Sequence, residues 1–96
     1  MDTIQWKLLS IDAKRFLHTN EPNQFIDKIG PKEAIEYAIE LVSKDFESIA
    51  LFELAGEKLD SDWLDIKTTW LSVLSNFNLK PVESAVEALH IAVIAP

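Results

Sequence analysis

Asp45-Phe46-Glu47-Ser48-Ile49-Ala50-Leu51-Phe52-Glu53-Leu54-Ala55-Gly56-Glu57-Lys58-Leu59-Asp60-Ser61-Asp62-Trp63-Leu64-Asp65 is the stretch from which the fold class follows. Ser48 is a good N-cap, because its hydroxyl accepts a backbone N–H that the first helical turn leaves without a partner. Ile49 to Ala55 is apolar nearly all round, with only Glu53 interrupting, and reads as a short buried helix. Gly56 is its stop. Asp60, Ser61 and Asp62 offer caps for a longer helix, Asp62 to Asn76. Its residues Trp63, Ile66, Trp70, Val73, Leu74 and Phe77 step by three and four into one stripe, widened on a flank by Leu64 and Leu71. Asn78 can close it in a left-handed conformation, with Leu79 making the accompanying apolar contact.

Upstream, Pro31 suits a first helical position, where its missing N–H costs nothing. The helix Pro31 to Lys44 carries Ile35, Ala38, Ile39 and Val42 inward and Glu33, Glu36 and Glu40 outward. A shorter helix, Gln24 to Ile29, is expected before it, capped by Asn23 and ended by Gly30, with Phe25, Ile26 and Ile29 inward. Residues 3–18 begin ambiguously: Ile4-Gln5-Trp6-Lys7-Leu8 alternates like a strand, then Leu9, Ala13, Phe16 and Leu17 recur at helical spacing. A lone strand has no partner to pair with, so helix is expected throughout. Lys14, Arg15 and His18 near its end suit the helix dipole. Downstream, Pro81 opens a last helix to Ile94, with Val82, Ala85, Val86, Leu89 and Val93 inward. The expected fold is all-α, a compact bundle of five or six short helices forming one domain over 96 residues.

The composition, 48% apolar and 26% charged, is that of a globular chain rather than a disordered one. There is no cysteine, hence no disulfide or thiolate metal site. No segment approaches the ~18 apolar residues of a membrane span. Met1-Asp2-Thr3 lacks the layout of a signal peptide, so a cytoplasmic protein without membrane contact is expected. The net charge of −7 argues against nucleic acid as partner, because phosphates require Lys and Arg. The acid is concentrated. Residues 1–30 balance four acidic against four basic groups, whereas 33–65 hold ten acids against Lys44 and Lys58, net −8. Such a stretch is either a solvated helix surface or a docking face for a basic protein, whose encounter it would speed.

Catalytic and metal patterns are weak. No serine sits in a glycine-flanked elbow, and Ser48 and Ser61 are better explained as caps. Glu87-x-x-His90 has the spacing of half a di-iron site, but the other histidine, His18, follows Arg15 rather than Glu. Asp60, Asp62 and Asp65 lack the glycine and terminal glutamate of a calcium loop. Gly30 and Gly56 are isolated stops, not a phosphate cradle. No cofactor, metal or catalytic activity is expected. Trp63 and Trp70, seven apart on one face, are either both core or leave Trp63 at the surface. A surface Trp63 beside Asp60, Asp62 and Asp65 would combine an aromatic anchor with charge steering.

The segment Glu47-Ser48-Ile49-Ala50-Leu51-Phe52-Glu53-Leu54-Ala55-Gly56 follows a helix rich in Ala and Glu. After it come an acidic turn and a helix with an Asn-Leu stop. This arrangement, over roughly residues 31–79, resembles a diffuse set of small bacterial helical proteins. Some of these look like immunity proteins associated with polymorphic or contact-dependent toxins. The approach Gly-Tyr/Phe-Asp-Ser usual in that set is here Asp45-Phe46-Glu47-Ser48. The resemblance implies a protein-binding role without catalytic residues. The expected function is an immunity-type inhibitor that masks a basic toxin such as a nuclease. Its partner-binding residues would be Glu53, Glu57, Asp60, Asp62, Trp63 and Asp65. The alternative is a regulatory or adaptor domain, a monomer or a homodimer sharing part of the Trp63–Phe77 stripe.

Overall fold

A computed structural model describes the backbone of residues 2–20 and 31–94, and the side chains of residues 2–17 and 31–91. Within them lie five helices: α1 (Thr3–Asn20), α2 (Lys32–Ser43), α3 (Ile49–Ala55), α4 (Trp63–Asn76) and α5 (Ala85–Ile94). The fold is all-α. The helix expected over Gln24 to Ile29, with Asn23 and Gly30, lies outside the described residues, as does the side chain of His18.

A reciprocal cap settles α1 as helix. Asp2 Oδ1 accepts the Gln5 N–H at 2.8 Å, and Gln5 Oε1 accepts the Asp2 N–H at 3.2 Å. That pair satisfies two donors at once and starts the turn through Ile4-Gln5-Trp6. Residues Leu8 to Ala13 are buried without a break, so α1 is enclosed rather than half-covered. It packs on α5 and α2, α2 packs on α3, and α3 on α4.

Two helix ends share one geometry. Asp45 (φ 67°) and Asn78 (φ 59°) are both left-handed. Phe46 N–H then donates to Leu41 O at 3.2 Å, and Leu79 N–H to Leu74 O at 2.9 Å. These are Schellman closures, the second at the expected Asn78-Leu79. They also bring Phe46 and Phe77 to 6.0 Å between ring centroids. Gly56 ends α3 with φ −85°, so its stop uses no left-handed turn.

One carboxylate joins the halves of the bundle. Asp12 is fully buried. It accepts from Arg15 Nε at 2.9 Å and Arg15 Nη2 at 3.1 Å, from Trp70 Nε1 at 2.8 Å, and from Val82 N–H at 2.7 Å. Arg15 Nη2 also donates to Val82 O at 3.2 Å. Arg15 therefore serves an internal ion pair rather than the helix dipole. Lys14 likewise turns to Glu33 at 3.2 Å, together with Lys7 at 3.0 Å. Glu33, expected to face outward, is thus a half-buried clamp between α1 and α2. Burial raises its pKa, but the two lysines outweigh burial and leave it below the ordinary carboxylate value.

The largest departure is α5. It starts at Ala85 rather than Pro81, and Val82, outside the helix, gives its N–H to Asp12. Ser84 caps it, accepting the Glu87 N–H at 3.1 Å. Ala88 and Ile91 point inward, whereas Ala85, Val86 and Leu89 are exposed. Ile39 of α2, placed in its inward stripe, is exposed as well.

Removing the Asp12 carboxylate leaves the buried Trp70 and Val82 donors without their acceptor and takes the carboxylate away from Arg15. Asp12→Ala is expected to cost about 3–5 kcal/mol of unfolding free energy, read by urea titration; a loss well below ~1 kcal/mol would contradict the network's role. The Glu33 clamp makes a second expectation. A carboxyl lowered in the folded state contributes stability above its unfolded pKa and loses it as pH falls through the folded value. Glu33→Gln should flatten that acid limb, seen as a smaller drop in melting temperature on acidification than in the wild type.

Candidate protein-docking face

Helix α3 is seven residues long. Ser48 Oγ caps it by accepting the Leu51 N–H at 3.3 Å, and also accepts from Asn76 Nδ2 at 2.8 Å, which ties the cap to the end of α4. Ala50, Leu51 and Leu54 enter the core. At 100° per residue these share one face, and Ile49, Phe52 and Glu53 share the other. Ile49 is 77% and Phe52 52% exposed, and Glu53 is exposed beside them. A helix buried on all sides was expected here. Among the described helices, α2 and α4 make the main contacts with α3, and its Ile49, Phe52 and Glu53 side is exposed.

Ile49 also borders a groove of about 490 Å3, floored by Phe46, Leu51 and Phe77 and edged by Glu47. Beyond α3 the chain turns through a Ser61 N–H to Lys58 O bond at 3.0 Å. Leu59 and Asp60 are exposed in that turn and Glu57 is half-buried.

The six residues expected at the partner surface separate into three groups. Glu53, Glu57 and Asp60 lie along α3 and its exit. Asp62 and Asp65 are exposed, but they cap α4. Asp65 N–H donates to Asp62 Oδ1 at 3.0 Å and Asp62 N–H to Asp65 Oδ2 at 3.2 Å. Their charges also favour the helix N-terminus. Trp63 is 5% exposed and is no surface anchor. It heads the stripe with Ile66 and Trp70, and meets the Trp70 ring edge-on at 5.7 Å. Its Nε1–H is buried without an acceptor among the described residues. Trp63, Ile66, Trp70, Val73 and Leu74 of the stripe are buried inside one chain, whereas Leu64 on its flank is exposed.

The ion pairs among the described residues use Lys7, Lys14, Arg15 and Lys44. None involves Glu53, Glu57, Asp60, Asp62 or Asp65, and neither Lys58 nor Lys67 neutralises the turn. No group of three or more histidine, aspartate or glutamate side chains among the described residues could hold a metal. No helix among them is long and apolar enough to cross a membrane. Comparison with protein-family models, with characterised proteins and with solved structures finds no match.

The exposed apolar residues missed from the sequence are Ile49 and Phe52. The available signal was length, since a helix of two turns offers few ways to be covered on every side. If this side is surface, the double variant Ile49→Ser/Phe52→Ser should change unfolding free energy by no more than about 1 kcal/mol. Leu51→Ser, one residue away but buried, should cost about 3 kcal/mol. Equal losses in chemical denaturation would place Ile49 and Phe52 in the core instead.

Proposed function

We propose that this chain is a small protein-binding inhibitor of the immunity type, which neutralises a basic toxin such as a nuclease by covering its active site. The observation that carries this reading is the coincidence on one short segment of exposed apolar side chains, Ile49 and Phe52, with carboxylates that have no ion-pair partner among the described residues. An apolar centre ringed by like charge is the composition of a recognition patch. Glu53, Glu57 and Asp60 would stand where a nucleic-acid substrate places its phosphates, and Phe52 takes the anchoring part expected of Trp63. Asp62 and Asp65 contribute field while holding α4 in place. The net −8 of residues 33–65 would speed encounter with a cationic partner and make the association rate fall with salt.

A regulatory or adaptor role is the second reading. It is favoured by α5, where Val86 is 80% exposed and Leu89 also faces solvent.

The deciding experiment is calorimetric titration of the chain with the product of the gene beside its own. A basic protein should bind. Phe52→Ala should weaken binding about 10- to 30-fold, a cost of roughly 1.5–2 kcal/mol. Reversal of charge at Glu53, Glu57 and Asp60 should weaken it about 100-fold or more and remove the salt dependence. Asp62 and Asp65 are left intact so that the α4 cap survives. Binding unaffected by both changes would remove the proposed face, and a neighbour that does not bind would remove the immunity reading.

A further inference from the structure

Between α1 and α4 lies a cavity of about 250 Å3 lined by Arg15, Trp63, Leu64, Lys67, Trp70 and Leu71. Its chemistry is the reverse of the docking face. In a chain of net charge −7, the described lining holds two cations and no carboxylate. We propose that this cavity is a binding site for a small aromatic carboxylate, with its ring against the indoles and its charge toward Lys67. The proposal stands independently of the immunity reading.

Each wall has a part. Trp63 and Trp70 stand edge to face, 5.7 Å apart, and are 5% and 1% exposed, so they form the rigid floor of the cavity. Flat rings gain from offset or edge-on contact with such a surface. Leu64 and Leu71 complete the apolar lining. Arg15 is fixed by Asp12 at 2.9 and 3.1 Å, and this pairing offsets its charge. Lys67 is exposed and belongs to no ion pair among the described residues, so its ammonium supplies the counter-charge. The acid nearest it in sequence, Asp65, is engaged with the Asp62 N–H. The volume lies just under the ~300 Å3 at which pockets for drug-sized ligands begin, so the ligand is about one ring and a short acidic arm.

The test is a titration of the isotopically labelled full chain with phenylacetate, followed by amide and indole N–H signals in NMR. Two companions separate ring from charge: phenylacetamide keeps the ring without the charge, and hexanoate keeps the charge without the ring. The indole signals of Trp63 and Trp70 should shift and saturate with a dissociation constant on the order of 0.1–1 mM, in keeping with so small a ligand. Trp6, which does not line the cavity, should stay still. Both companions should bind at least about fivefold more weakly, and Lys67→Glu about tenfold more weakly. Lys80→Glu, the same change at another exposed lysine, should bind like the wild type. The inference is overturned by absence of saturation, by phenylacetamide binding as well as phenylacetate, or by equal binding in the two lysine variants. Both substitutions are at exposed side chains, so an unperturbed spectrum confirms that the fold persists.

Discussion

The bundle depends on the buried carboxylate of Asp12. A carboxylate with no access to water is tolerable only if donors replace its hydration. Asp12 obtains them from three parts of the chain: Arg15 one turn along α1, Trp70 in the middle of α4, and Val82 before α5. Satisfying that one group places the indole of Trp70 against α1. It also draws the 79–84 connection across α1 in non-helical form. Hydrophobic area alone would allow several slidings of α4 and α5 along α1, because apolar contact is not directional. The fan of hydrogen bonds at Asp12 selects one of them.

The same economy of cations shapes the surface. Three of the basic groups near the N-terminus are consumed by internal or half-buried pairs, Arg15 with Asp12 and Lys7 and Lys14 with Glu33. The acids at and after α3 receive none of them. Charge balance in the first thirty residues therefore does not soften the field over the turn from α3 to α4. A cation-lined recess lies between α1 and α4, where Lys67 and the paired tryptophans line it. The residues proposed to meet a basic protein lie along α3 and its exit, and those proposed to hold a small anion lie on α4 and α1.

The legible parts of this chain are those governed by neighbours a few residues apart. Ser48 as a cap, Asp62 and Asp65 at the head of α4, and Asn78-Leu79 at its foot follow from bonds that span three to five residues, and the structure contains each of them. Two further caps were present in the same form and could have been read. Asp2-x-x-Gln5 starts α1, and Ser84-x-x-Glu87 marks the true start of α5. Proline at position 81 was the stronger-looking signal, yet proline only permits a helix start, whereas a side chain that satisfies a free N–H stabilises one.

Burial was less legible, because it depends on what lies opposite. Ile49 and Phe52 are as apolar as Leu51 and Leu54, and only the number of helices covering α3 separates surface from core. Val86 and Leu89 face solvent while Ala88 and Ile91 face the core, because the side of α5 that is covered is chosen by how it docks on α1. Trp63 has the composition of a hot-spot residue and the position of a core residue, and the stripe it heads took it inward. The all-α class, the helix caps and the concentration of acid between residues 33 and 65 belong to the sequence, because they are local or additive properties. Which apolar side chains face water, which lysines remain available, and that Asp12 sits at the centre belong to the tertiary structure, because each is a relation between residues 19 to 70 positions apart.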